Sequence, residues 1–245
     1  MLDPNSVREG GQALVYRASF EGRRLAVKVA RRVGTAIARE RDALAKLRDK
    51  HADAGEWVVE LVDSGQTQDG RDFIVLNWYS CSLEEWLEKP HSFAERLWVL
   101  EHCAEVVTRL HRAADLREQY LHRDIKPGNF LIDESESPPR VVLADLGGVK
   151  DGRMLATAQF EGLHSPGFAP AEQGLPLAQR PDPSLDVHGL AATIYAGLCG
   201  RLPDAKMVPI RLGSDARRLM FLHLTGGAKR DPAEEKEYAI LSRHP

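Results

Sequence analysis

His122-Arg123-Asp124-Ile125-Lys126-Pro127-Gly128-Asn129 is the stretch on which the reading of this chain turns. Within eight positions it sets a carboxylate, an ammonium and an amide around a Pro-Gly turn. Alone it would pass for a polar surface loop with Asp124 as a turn residue. Its surroundings argue otherwise. Sixteen residues beyond Asn129 comes Asp145-Leu146-Gly147, directly after the apolar run Val141-Val142-Leu143-Ala144. A short apolar run of this kind reads as a buried strand, and Asp145 then stands at its end.

Upstream, the first third reads as strands around one helix. Residues 15–20 and 25–30 alternate as a hairpin turning at Glu21-Gly22-Arg23. In a strand of period two, Lys28 shares a face with Ala26 and Ala30, while Leu25, Val27 and Val29 point the other way. Residues 36–49 carry Ile37, Leu44 and Leu47 on one helical stripe, and Glu40 projects from that same face. A charge on a core-facing stripe needs a partner, and Lys28 is the candidate. Further strands are expected around residues 57–62 and 73–76. From Ser82 the pattern becomes helical. Ser82 with Glu85 signals a capping box. Phe93, Leu97, Leu100, Ala104 and Val107 mark a long helix, and Val187, Leu190, Ala191, Ile194, Tyr195 and Leu198 cover most of another.

Composition narrows the class of protein. The 245 residues are 43% hydrophobic and 28% charged, with a net charge of -3, an ordinary globular balance that gives no reason to expect a nucleic-acid partner. Cys81, Cys103 and Cys199 are scattered without metal-binding spacing and read as small hydrophobes of a reducing compartment. The first residues lack the pattern of a signal peptide, and residues 189–200 are too few to span a bilayer. A cytoplasmic protein with no membrane segment is the expectation.

Together the motifs resemble those of eukaryotic-like (Hanks-type) serine/threonine protein kinase domains, in the right order from about residue 7 to residue 203. The 122–129 stretch resembles the catalytic loop, and Lys126, two residues after the aspartate, resembles the serine/threonine branch. The resemblance implies Asp124 as proton acceptor for a hydroxyl, Lys126 as neutraliser of charge on the moving phosphoryl group, and Asn129 and Asp145 as ligands of Mg2+ or Mn2+. Lys28 would meet the α- and β-phosphates of ATP and pair with Glu40. Residues 7–16 resemble the phosphate-covering glycine loop. Gly10 and Gly11 are present there, but Arg8 and Ala13 stand at the first and third glycine positions. Adenine is expected between Val15 and Ala26 above and Leu131 below, with Leu76 as gatekeeper and the backbones of Asn77 and Tyr79 as hydrogen-bonding groups. Residues 165–172 resemble the end of an activation segment containing Ser165 and Glu172, with Thr157 as candidate phosphorylation site. Asp186 would brace the catalytic loop, a role compatible with capping its own helix.

The implied architecture is α+β and bilobal: residues 1–77 a small antiparallel-sheet lobe with one helix, residues 78–245 a larger, mostly helical lobe. The implied reaction is transfer of the γ-phosphoryl group of ATP to a serine or threonine of a protein. An inactive kinase-fold scaffold and a small-molecule kinase are the alternatives. Only 42 residues follow Pro203, which fits an abbreviated lobe or one domain of a longer chain with a further domain or regulatory partner.

Overall fold

The computed structural model describes residues 2–9, 13–34, 36–113, 120–148, 167–168 and 183–201. Strands β1 (Leu2–Glu9), β2 (Ala13–Phe20), β3 (Arg23–Ala30), β4 (Leu61–Gln66) and β5 (Asp72–Asn77) form an antiparallel sheet in the order β1-β2-β3-β5-β4. The β2–β3 turn places both Glu21 (φ 47°) and Gly22 (φ 79°) in the left-handed region. Such a turn matches the twist of the paired strands.

Helix α1 (Ala36–Lys50) lies against this sheet. Its stripe Ile37, Leu44 and Leu47 is buried as the periodicity predicts, against a core that includes Ile74 of β5. The strand expected near residue 57 forms later. Residues 54–56 make a 3₁₀ turn, and Val58 then makes a single parallel bridge to Leu143. Leu143 N–H donates to Trp57 O (2.9 Å) and Val59 N–H donates to Leu143 O (3.0 Å). These apolar residues are buried because they tie the sheet-rich part to the helical part, not because they belong to the sheet.

After Asn77 the chain forms β6 (Cys81–Ser82), α2 (Leu83–Leu87), α3 (Phe93–Arg112), β7 (Phe130–Asp133), β8 (Arg140–Leu143) and α4 (Ser184–Cys199). The capping box of Ser82 and Glu85 opens α2, and a second one, Ser92 with Glu95, opens α3. The buried face of α3 is Val99, Leu100, Cys103, Val106, Val107 and Leu110; Leu97, expected on that face, is 47% exposed. Leu100 and Val107 of the expected stripe lie on the buried face, and Phe93 and Ala104 are half-buried beside it.

Helix α4 differs more from its sequence reading. Its buried positions are Asp186, Gly189, Ala192, Thr193 and Gly197, while Val187 is exposed and Leu190, Ile194 and Leu198 are only partly buried. Close approach is the reason. A Cβ on Gly189 would lie 2.6 Å from Ile125 O, and one on Gly197 would lie 2.8 Å from a Leu100 methyl. Small residues face the tightest contacts, so the larger apolar ones turn aside. Asp186 also lies inside the first turn rather than at the cap, which is Pro183. Among the described residues no helix is long and apolar enough to cross a membrane.

Candidate active site

The hairpin register sets two of the oxygen donors side by side. Phe130 opposes Leu143 across β7 and β8, so the residues just outside the pair, Asn129 and Ala144, also meet: Ala144 N–H donates to Asn129 O at 2.8 Å. Asp145 follows at once, in a left-handed backbone conformation (φ 60°) that turns it away from the strand. The Asn129 amide nitrogen donates to Asp124 O (2.6 Å) and Asp124 Oδ2 (3.2 Å). Lys126 Nζ donates to the same carboxylate oxygen at 2.7 Å. Asp124, Lys126 and Asn129 thus form one hydrogen-bonded cluster.

Asp186, wholly buried, holds that cluster from beneath. Its carboxylate accepts from His122 N–H (2.7 Å), from Arg123 N–H (2.6 Å) and from His111 Nε2 (2.8 Å). Burial alone would raise its pKa, but the His111 and backbone donors hold it below the usual carboxylate range. Arg123 has φ 69°, a conformation that costs an L-residue about 1 kcal/mol or more and persists where its surroundings impose it. The two backbone donors gripped by Asp186 are that imposition. His122 reaches further: Asp124 N–H donates to its Nδ1 (3.3 Å), so its Nε2 carries the proton and donates to Ala144 O (2.7 Å). His111 and His122 were not singled out from the sequence as site residues. Their roles are bonds across 75 and 22 positions, and no local pattern announces such bonds.

Lys28 Nζ lies 2.7 Å from Glu40 Oε2 and 2.8 Å from Asp145 Oδ1, joining β3, α1 and the turn after β8. Glu40 is 1% exposed, as its place on the apolar stripe required. For Lys28, burial would lower the pKa, yet the two carboxylates push it above its ordinary value. Burial raises Glu40, with Lys28 opposing. Burial likewise works against ionised Asp145, but there Lys28 prevails and the carboxyl sits below its normal range. One ammonium shared by two carboxylates leaves the cluster with surplus negative charge, which suits a cation nearby. Leu146 is fully buried, and α1 packs on the turn that contains it.

Magnesium demands oxygen ligands and keeps several from phosphate or water. The residues present fit it. Asp145 is held ionised with half of its side chain exposed, and Asn129 has committed its amide nitrogen to Asp124, leaving the oxygen as the end to meet a cation. Among the described residues no three His, Cys, Asp or Glu side chains cluster to hold a metal without such help.

The residues expected to wall the nucleotide lie on two separate sheets. Ala26 pairs with Leu76 between β3 and β5, and Val15 pairs with Lys28 between β2 and β3. Leu131 pairs with Ser82 between β7 and β6. Asn77 N–H donates to Glu60 O (3.1 Å). Its side chain accepts from Arg23 (3.0 Å) and donates to Glu60. Tyr79 is buried, with its hydroxyl accepting from Glu60 N–H (3.3 Å). Ala13 is buried, and Arg8 reaches Glu85 on α2. Gly10, Gly11, Thr157, Ser165 and Glu172 lie outside the described residues.

Comparison with known proteins gives the same class. A family model for the protein kinase domain matches residues 5–231. The chain is 32% identical over 174 residues to serine/threonine-protein kinase F of Synechocystis, covering 66% of this chain and 33% of that one. It is 30% identical over 206 residues to serine/threonine-protein kinase PknK of Mycobacterium tuberculosis, covering 79% of this chain and 17% of that one. The human serine/threonine-protein kinase/endoribonuclease IRE2 is 30% identical over 206 residues, covering 79% and 21%. This chain belongs to the protein kinase domain family, with the bilobal α+β fold of that family. It spans a third or less of the length of these relatives.

Proposed function

We propose that this chain is an active serine/threonine protein kinase domain, transferring the γ-phosphoryl group of ATP to a hydroxyl of a protein, with residues 1–77 and 78–245 as its two lobes. The observation that carries the proposal is Lys28 Nζ held between Glu40 and Asp145 at 2.7 and 2.8 Å. Three separate stretches of chain meet there in an arrangement that a scaffold without nucleotide chemistry has no need to keep.

In this reading Lys28 steadies the α- and β-phosphates, with Glu40 fixing the direction of its ammonium. Asp145 and Asn129 hold magnesium or manganese, which supplies charge neutralisation on the phosphates when bound. Asp124 accepts the proton of the substrate hydroxyl, its carboxylate oriented by Asn129 and Lys126. Lys126 offsets charge on the transferred group. Val15, Ala26, Leu131 and the gatekeeper Leu76 enclose adenine, the backbones of Asn77 and Tyr79 bond to it, and Gly10 and Gly11 belong to the loop over the phosphates. Thr157, Ser165 and Glu172 are proposed as the activation segment. Most of the rate enhancement in such a site comes from positioning and fixed charge.

The test is metal-dependent transfer from labelled ATP to a protein or peptide, with Asp124→Asn as control. Transfer to serine or threonine is expected from the wild type. Removal of the proton acceptor is expected to cut the rate by about 10²–10⁴. A wild-type chain that binds ATP and magnesium yet transfers nothing to protein would refute the proposal.

A further inference from the structure

Arg8 occupies the position where the family pattern has a glycine, and the chemistry above gives it no task. Its guanidinium makes a bidentate contact with Glu85: Nη2 to Oε1 at 2.7 Å and Nη1 to Oε2 at 3.1 Å, across 77 positions of sequence. Paired N–H groups matched to a carboxylate fork are the strongest form of exposed ion pair. Both ends are anchored. Arg8 sits on β1, an edge strand of the five-stranded sheet, opposite Val15 of β2. Glu85 Oε2 also accepts from Ser82 N–H (2.9 Å) and lies 3.2 Å from Ser82 Oγ, within the capping box of α2. Burial alone would raise the Glu85 carboxyl, but these donors and Arg8 hold it below the usual carboxylate range.

The placement matters because of what each anchor adjoins. Val15, beside Arg8, is the expected roof over adenine. Ser82, which orients Glu85, is the register partner of Leu131, the expected floor. The pair therefore links the neighbours of roof and floor. We propose that Arg8 and Glu85 are positioning residues that form a clasp over the nucleotide cleft, which parts and re-forms each time a nucleotide enters or leaves. This inference rests on the kinase reading and adds a kinetic role to it. A clasp that must open in both directions slows entry and exit by the same factor and leaves the equilibrium affinity unchanged. Direct contact between Arg8 and the nucleotide would instead slow exit alone and tighten binding.

Stopped-flow mixing of the chain with magnesium and a fluorescent ATP analogue separates these cases. Arg8→Ala, and Glu85→Gln, which keeps the cap acceptor but removes the charge, are each expected to raise kon and koff together by about two- to fivefold, the range for an exposed ion pair. Kd should stay constant. Arg8→Lys should restore part of the slowing, and raising salt from about 0.05 to about 0.5 M should bring the wild type toward the variants. Unchanged rates, or a weaker Kd with only koff raised, would overturn the clasp while leaving the kinase reading standing. Failure of the wild type to bind nucleotide would overturn both.

Discussion

Of the ion pairs that join the sheet-rich half of this molecule to the helical half, Lys28–Asp145 and Arg8–Glu85 have their closest oxygen 2.7–2.8 Å from nitrogen. They are not equivalent. Lys28 is largely enclosed, its side chain 16% exposed, and also holds the fully buried Glu40; Arg8 and Glu85 stand in solvent, their side chains 59% and 38% exposed. In a water-poor setting a charge that loses its partner is left stranded, and the penalty is large. In solvent, water and salt replace the partner at little cost. Equal distances therefore mean a structural and chemical necessity at the back of the cleft and an adjustable contact at the front.

The hardest test of this contrast is Lys28→Ala. Phosphoryl transfer should fall by about 10²–10³, the usual loss when one fixed electrostatic donor is removed. Melting temperature should fall as well, because Glu40 is left buried without its partner. Adding Glu40→Leu should recover most of the melting temperature and none of the transfer, which calorimetry and a labelled-ATP assay would show. Transfer near the wild-type rate in folded Lys28→Ala would end the proposed role of Lys28.

Next in size is a change at the joint beneath the proposed catalytic loop, residues 122–129. Gly189→Ala places a methyl 2.6 Å from Ile125 O, which is backbone and cannot swing aside. We expect a loss of about 1–3 kcal/mol in denaturant unfolding, with a fall in kcat larger than any change in KM for ATP, since the displaced loop carries Asp124 rather than the adenine walls. A silent Gly189→Ala would mean that this joint yields as readily as the front of the cleft.

The smallest effect concerns pH. Glu40 has a folded-state pKa above its unfolded value, so its contribution to stability is fully present below the unfolded value and is lost as pH rises through the folded one. Asp145, held low, contributes above its unfolded value and loses that contribution only as pH falls through its depressed one. On lowering the pH from 7 towards 4.5, the wild type should therefore gain stability relative to Glu40→Gln. Urea unfolding of both proteins across that range checks the sign. A widening deficit would show that Lys28, rather than burial, governs Glu40.

Much of the site was legible because its chemistry is carried by short local patterns. Asp124, Lys126 and Asn129 lie within six positions of one another, and Asp145 follows a short apolar run that reads as a buried strand. Glu40 was legible through a conflict, a charge on an apolar stripe, which marks a partner arriving from elsewhere. Patterns misled where a contact, not a period, set burial. The apolar residues at 57–59 were read as sheet because alternation and burial look alike in one dimension. In α4 the large apolar residues drew attention, while Gly189 and Gly197 made the close contacts.

Local patterns by themselves determined the order of most elements, and the motifs, through their resemblance to a known family, pointed to the class of fold and to the residues proposed to bear the chemistry, because each of those signals is written within a turn, a strand or a helix face. Only the tertiary structure decided which side chains bond across long separations: His111 and the backbone of His122 and Arg123 to Asp186, His122 to Ala144, Arg8 to Glu85. A hydrogen bond or ion pair depends on atoms coming within about 3 Å, and residues tens of positions apart come that close only after the chain has packed.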